Sequence, residues 1–175
     1  MKREESAIYD ECHKMLYFTA LRILSDNYEA EEVMHDTLLK YFRKKPAFDT
    51  VHERNIWMKR VCINLAIDIL RKKNRVDFEK IGRVILNNGE ENGGEDDVTG
   101  LYREEYSFKG VSVQMVKEAL ERLAVGYKTI LSLILFEGYD YEEVSEILHI
   151  GESTVRSQYL RGRTRLIKDL DEKKR

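Results

Sequence analysis

Basic, hydroxyl and amide side chains are concentrated near the carboxyl end, in residues 140–166, which read DYEEVSEILHIGESTVRSQYLRGRTRL. A short segment of helical period, a turn containing Gly151 and a longer helical segment have the spacing of a helix-turn-helix. Residues 152–168 hold five basic residues and one acid, Glu152. Because the first turns of such a second helix reach base edges in the major groove, this stretch predicts a duplex-reading helix.

The second helix of this motif divides into an apolar face and a polar, basic face. The predicted inward residues recur at steps of three and four: Val155, Tyr159, Gly162 and Leu166. The candidate contacts to duplex DNA lie on the other faces: Ser153, Thr154, Arg156, Ser157, Gln158, Arg161, Arg163 and Arg165. Hydroxyls and amides suit base edges, and arginines suit phosphates or guanine. The alternative is an αα-hairpin with a solvated basic face.

A second basic segment spans residues 54–75, with seven basic residues and one acid, Asp68. Aromatic side chains lie close in sequence, and basic, aromatic and amide groups together suit single-stranded nucleic acid. For Trp57 alone, a core position is the favoured interpretation. Asn64 is either a hydrogen-bonded core amide or a base-reading residue, and its position in the sequence leaves both open.

The helix before it has the opposite charge. Residues 28–37 contain Glu29, Glu31, Glu32 and Asp36 but no lysine or arginine. Such a face repels DNA, so it faces solvent or docks on a basic protein partner. The sequence by itself favours the solvated face.

The composition restricts the classes that these elements can belong to. Among 175 residues there are one proline and two cysteines, charged residues make up 35%, and the net charge is −2. Few prolines argue against an all-β chain, and two cysteines exclude a disulfide framework. The amino-terminal residues lack the apolar stretch of a signal peptide, and no apolar run reaches the ~18 residues of a spanning helix. We expect a soluble, cytoplasmic protein.

The hydrophobic period predicts an all-α protein of two small helical domains. Residues 48–52 are predicted to be a loop, and the helix after them is apolar over most of its circumference, which predicts burial by its neighbours. Residues 87–97, NNGEENGGEDD, predict a flexible acidic linker, and the flanking 81–86 and 101–108 are assigned as short helices or docked chain. The predicted helices are 4–24, 28–44, 54–73, 111–123, 127–137, 140–148 and 152–169.

The two ends together resemble a bacterial RNA polymerase sigma factor of the extracytoplasmic-function (ECF) group. LYFTALRILSDNYEAEEVMHDTLLKYF and NIWMKRVCINLAIDILRKKNR are similar to sigma region 2, and GYKTILSLILFEGYDYEEVSEIL and TVRSQYLRGRTRL to region 4. The resemblance implies three parts: region 2 in residues 1–78, a flexible acidic linker in 79–110 and region 4 in 111–175. Gly162 stands where the family usually has alanine.

The resemblance also implies roles. The chain would bind core RNA polymerase and promoter DNA without catalysis, cofactor, metal or small-molecule substrate. An anti-sigma factor would restrain it, in the cytoplasm or at the inner membrane, without insertion of the chain itself. The helix-turn-helix would read the minus-thirty-five duplex. Polymerase docking would use Glu29, Glu31, Glu32, His35 and Asp36. The melted minus-ten strand would be held by loop 45–54 and by Arg60, Asn64, Arg71, Lys72, Lys73 and Arg75.

The length of the predicted linker and the motifs of the chain limit the possible functions further. Residues 76–110 number 35, and a flexible coil of that length averages about 30–35 Å end to end. Two duplex turns between promoter elements span about 70 Å, so the linker is predicted to extend in the holoenzyme. An enzyme is disfavoured, because no Gly-rich phosphate loop, GxSxG or HExxH occurs. The rival classes are an autonomous helix-turn-helix regulator and a helical adaptor that uses its acidic face.

Overall fold

The computed structural model describes residues 2–73 and 110–172, and every regular element in those ranges is an α-helix. The chain divides into two units, residues 1–75 and 76–175. The predicted all-α class is confirmed. The predicted linker 79–110 and the pieces 81–86 and 101–108 fall almost wholly outside the described residues, as does the predicted domain boundary at residue 78.

The first unit is a bundle of three helices: α1 (Lys2–Leu24), α2 (Asn27–Lys44) and α3 (Val51–Lys72). Each helix packs on the other two. The core contains Leu16 and Ile23 from α1, Val33 from α2, and Met58 and Ile67 from α3, all nearly inaccessible to solvent. Burial of these aliphatic groups, more than helix propensity, holds the bundle together.

Local signals set the ends of these helices. Asp26 caps α2 by accepting a hydrogen bond from the backbone N–H of Glu29 at 2.9 Å, as the predicted break at 25–27 requires. Thr50 caps α3 in the same way, accepting from the N–H of Glu53 at 3.1 Å. The predicted loop 48–52 is therefore wrong at its end, because this cap starts the helix at Val51.

The second unit contains α4 (Val113–Arg122), α5 (Val125–Leu135), α6 (Tyr141–Leu148) and α7 (Glu152–Glu172). Helix α7 packs against all three others. Asp140 and Glu143 form a capping box at α6, with N···O distances of 2.8 and 3.0 Å. His149, in the left-handed region at φ 53°, ends α6 and turns the chain into α7. The α6–turn–α7 arrangement is the predicted helix-turn-helix.

An ion pair holds the carboxyl end of α4 to α7. The guanidinium of Arg122 donates to both carboxylate oxygens of Asp169, which lies 47 residues further along the chain. This charge-assisted, two-pronged contact raises the pKa of Arg122. It joins the last turns of α7 to the carboxyl end of α4.

Candidate functional site

The exposed surface of α7 is basic over its first four turns. Arg156, Arg161 and Arg165 are exposed, and Ser153 is exposed beside them. Ser157 and Arg163 are half-buried, and the Ser157 hydroxyl donates to the carbonyl of Ser153 at 2.9 Å. We call these six residues the basic face of α7. Their charge and position on a helix-turn-helix suit the major groove of a duplex.

Two of the predicted duplex contacts do not lie on this face. Thr154 and Gln158 retain only 7% and 6% of their exposure, so the expectation that they are free to reach bases is wrong for this conformation. The predicted inward residue Val155 is fully buried beside them. The physical reason is that three helices pack on α7, which makes its buried arc wider than the apolar residues alone indicate.

Two arginines of the basic face contact aromatic rings. The guanidinium carbon of Arg165 lies 4.6 Å from the ring centroid of Tyr127, and that of Arg156 lies 5.3 Å from the centroid of Tyr141. Arg156 also donates to Glu152 Oε1 at 3.1 Å. Sequence reasoning missed Tyr127 and Tyr141, because each lies on a different helix from its arginine. The contact between Glu152 and Arg156 could have been predicted, because residues four apart on a helix lie close enough to form an ion pair.

In the first unit, the outward side of α3 carries Trp57, Arg60, Asn64 and Arg71, which recur at steps of three, four and seven. We call these four residues the outer face of α3. Asn64 is exposed, so the alternative of a core amide is wrong. The predicted burial of α3 by neighbours all round is also wrong, since this side is open and Ile56 nearby is 51% exposed.

An aromatic cluster lies at the amino-terminal end of the outer face of α3. Trp57 is half-buried rather than a core residue, and its ring centroid lies 6.2 Å from that of Tyr41 and 6.0 Å from that of Phe48. Tyr41 in turn meets Phe42 edge to face at 5.6 Å. Partly exposed π-faces beside Arg60 and Asn64 provide the stacking and polar groups that unstacked bases require.

The basic end of α3 is partly neutralised within the unit. Arg71 lies 3.7 Å from Asp68, and Lys72 is exposed. Lys73 pairs with Glu29 of α2. Arg75, the remaining predicted phosphate contact of this cluster, lies outside the described residues.

The acidic helix α2 presents four of its five predicted docking residues. Glu31, Glu32, His35 and Asp36 are exposed, and together with Tyr28, Val33 and Ile69 they line a groove of about 450 Å³. We call this the acidic groove. The imidazole of His35 stacks against Tyr9 of α1, with 6.2 Å between ring centroids, and lies 3.8 Å from Glu31.

Glu29 does not belong to the acidic groove, which corrects its assignment as a docking residue. It is 5% exposed, and its carboxylate binds the ammonium group of Lys73. The start of α2 and the end of α3 lie side by side, so this carboxylate stabilises the bundle instead of facing a partner. Residues 44 positions apart form the contact, and no local pattern could have indicated it.

Arg54 is likewise unavailable to nucleic acid. Its side chain is 11% exposed, and its Nη2 donates to Glu11 Oε2 at 2.7 Å, which ties α3 to α1. Burial acts to lower the pKa of this guanidinium, but the hydrogen bond to Glu11 and nearby negative charge outweigh it, so the pKa is raised. Its role is to position the start of α3 below the predicted strand-holding loop.

Within residues 2–73 and 110–172, no group of three or more His, Cys, Asp or Glu side chains is arranged to hold a metal ion. Over the same ranges, no helix has the length and hydropathy needed to cross a membrane. The surfaces described above are suited to binding macromolecules through charge, π-faces and hydrogen bonds.

Comparison with known proteins agrees with this division into two binding units. The family described as Sigma-70 region 2 matches residues 8–76, and that described as Sigma-70, region 4 matches residues 113–166. The first match includes the acidic groove and the outer face of α3. The second includes α6, the turn, the first four turns of α7 and the basic face of α7.

Curated relatives match along most of their length. The ECF RNA polymerase sigma factor SigW of Bacillus subtilis is 25% identical over 155 residues, which cover 89% of this chain and 82% of SigW. SigL of Mycobacterium tuberculosis, also an ECF RNA polymerase sigma factor, is 24% identical over 154 residues, covering 87% and 80%.

A solved structure supports the fold. The sigma factor RpoE of Bartonella quintana, crystallised with the anti-sigma factor NepR, superimposes with a TM-score of 0.58 at 20% identity, over 97% of this chain and 98% of RpoE. With both regions matched in order and relatives similar over nearly the whole chain, the protein belongs to the sigma-70 family, in the ECF group of RNA polymerase sigma factors.

Proposed function

We propose that this protein binds core RNA polymerase and directs it to a specific set of promoters, with the polymerase carrying out all of the catalysis. The observation that carries the proposal is the presence, in one sigma-70 chain, of a basic helix-turn-helix face and a separate aromatic and amide face on α3. The first suits an intact duplex and the second suits a separated strand. A protein that only bound a duplex operator would have no use for the second.

The acidic groove on α2 is the proposed docking surface for polymerase. Three exposed carboxylates beside the apolar side chains of Val33 and Ile69 suit a basic, partly apolar helical surface, and charge complementarity of this kind accelerates and orients association. The family resemblance points to the clamp coiled coil of the largest polymerase subunit as the partner.

The proposed minus-ten residues are Arg60, Asn64, Arg71 and Lys72, with Lys73 and Arg75 at the end of the segment. On the duplex side, the basic face of α7 is proposed to contact the minus-thirty-five element. We propose that residues 1–78 form region 2 and residues 111–175 form region 4. The linker, residues 79–110, would be extended between the two promoter elements in the holoenzyme.

We also propose regulation by an anti-sigma factor, which would hold the protein inactive in the cytoplasm or at the inner membrane. The support is that RpoE, of similar fold, was crystallised with such a partner.

In vitro transcription with purified core polymerase and genomic fragments tests the proposed function. We expect new transcripts only when both the protein and core enzyme are present, and their start sites identify the promoters. Asn64→Ala should reduce strand opening, read by permanganate reactivity, with little effect on core binding. Tight operator binding without polymerase would instead support an autonomous regulator, and polymerase binding without transcription would support an adaptor.

A further inference from the structure

Arg156 differs from its neighbours on the basic face of α7 in being held from two sides. Its Nη2 donates to Glu152 Oε1 at 3.1 Å, one turn back on the same helix. Its guanidinium carbon lies 5.3 Å from the ring centroid of Tyr141, at the start of the other helix of the motif. In the ranges that the structure covers, Arg161 and Arg163 form no such ion pair or ring contact.

The ring of Tyr141 is itself fixed in place. It meets the ring of Tyr159 edge to face, with 5.7 Å between centroids and an interplanar angle of 62°. Tyr159 is a half-buried residue of α7, so α6 and α7 both contribute to the orientation of the Tyr141 ring. The guanidinium of Arg156 is therefore positioned against a support that moves with the motif as a whole.

The ion pair between Arg156 and Glu152 itself contributes little to stability. The side chains of Arg156 and Glu152 are 59% and 50% exposed, and an exposed pair four residues apart adds little to the free energy of unfolding. A carboxylate on a DNA-binding face also repels phosphate. The helix dipole favours a carboxylate in the first turn of α7, and this one is placed so that it also orients Arg156.

We propose that Tyr141 and Glu152 are positioning residues that hold Arg156 to read one guanine in the major groove. A bidentate contact to guanine O6 and N7 requires the guanidinium plane at one orientation, and a long side chain loses rotamer freedom when it adopts that orientation. Holding it before binding reduces this entropic cost. Glu152 engages Nη2 from one side, and the planar group has further N–H donors for the base. The inference rests on the proposed function, because it concerns the promoter duplex.

The test measures base discrimination by the holoenzyme. Starting from a promoter identified by in vitro transcription, each base pair of the minus-thirty-five element is changed to the other three, and initiation rates are measured at limiting holoenzyme. Arg156→Ala should reduce discrimination at a single G·C pair by about 5- to 150-fold. Tyr141→Leu and Glu152→Ala should reduce it at that same pair by about 2- to 12-fold.

Controls separate positioning from folding. Tyr141→Phe keeps the π-face and should retain discrimination, and neither Tyr141→Leu nor Glu152→Ala should lower it further in an Arg156→Ala background. Equal loss at every base pair, or loss that persists without Arg156, would overturn the inference while leaving the proposed function standing. A wild-type chain that drives no transcription with core polymerase would overturn both.

Discussion

The two partners of the ion pair between α1 and α3 are buried to different extents, so removing one or the other should lower the free energy of unfolding by different amounts. The Arg54 side chain is 11% exposed and that of Glu11 is 56% exposed. Glu11→Ala leaves a buried guanidinium with Asn55 Oδ1, 3.3 Å away, as its remaining acceptor among the contacts described. Arg54→Met removes the buried charge, fills much of its volume and leaves a carboxylate that water can solvate.

The magnitudes follow from burial. Removing one partner of a fully buried pair costs about 3–5 kcal/mol, and losing a hydrogen bond to a charged group costs about 1.5–3 kcal/mol. Because Glu11 is half exposed, we expect Glu11→Ala to cost about 2–3 kcal/mol. Arg54→Met should cost about 1 kcal/mol or less, since a hydrophobic replacement of a buried ion is often nearly neutral. The double variant should resemble Arg54→Met.

Trp57, the only tryptophan of the chain, lies in α3 three residues after Arg54, so its fluorescence reports unfolding of the first unit. Urea titration gives the free energies, and a cost of 2–3 kcal/mol corresponds to roughly 10–20 °C in Tm for a unit of this size. Asp10→Ala, the loss of an exposed neighbouring acid, should remain within about 0.5 kcal/mol of wild type. The reasoning is refuted if Arg54→Met destabilises as much as Glu11→Ala, or if the double variant is the least stable.

Three further predictions concern separate parts of the molecule. Gly162→Ala should destabilise the second unit by about 1 kcal/mol, because the new Cβ would lie 3.2 Å from Tyr127 Cβ and this crowding outweighs the gain in helix propensity. Thermal melting measures the change, and a variant more stable than the wild type would contradict the prediction. Burial raises the pKa of the Cys12 thiol, so the folded state holds this proton more tightly, and stability should fall as pH rises above about 8.5. The loss should be smaller in Cys12→Ala, which keeps the buried thiol of Cys62, and a Cys12→Ala profile identical to that of the wild type would argue against it. Glu32→Lys should weaken core polymerase binding about tenfold or more, because it reverses a charge in the acidic groove. A pull-down titration measures the affinity, and a variant that binds as tightly as the wild type would contradict the assignment of α2 as the docking surface.

Much of the fold could be predicted from sequence because its determinants are local. The helical period of apolar residues, the caps at Asp26 and Asp140 and the turn at His149 each act within a few residues. The start of α3 was misplaced because Thr50, a weaker and less conspicuous cap than Asp26, follows a stretch that reads as a loop.

The site was predicted less completely, because exposure depends on how many neighbours a helix has. Periodicity placed Thr154 and Gln158 on the outside of α7, but a helix with three packing partners buries a wider arc. Composition placed Glu29 in the acidic set, whereas the neighbouring end of α3 supplies Lys73 to neutralise it.

The order of residues alone determined the class of the protein: an all-α chain with a basic helix-turn-helix at one end and acidic and basic helices at the other. Local spacing is enough to predict the class, because the helical period, the caps and the segregation of charge each depend on residues only a few turns apart. Only the tertiary structure decided which charges remain available to partners. Contacts such as Glu11 with Arg54 and Arg156 with Tyr141 join separate helices, and the packing of those helices decides which of their side chains meet.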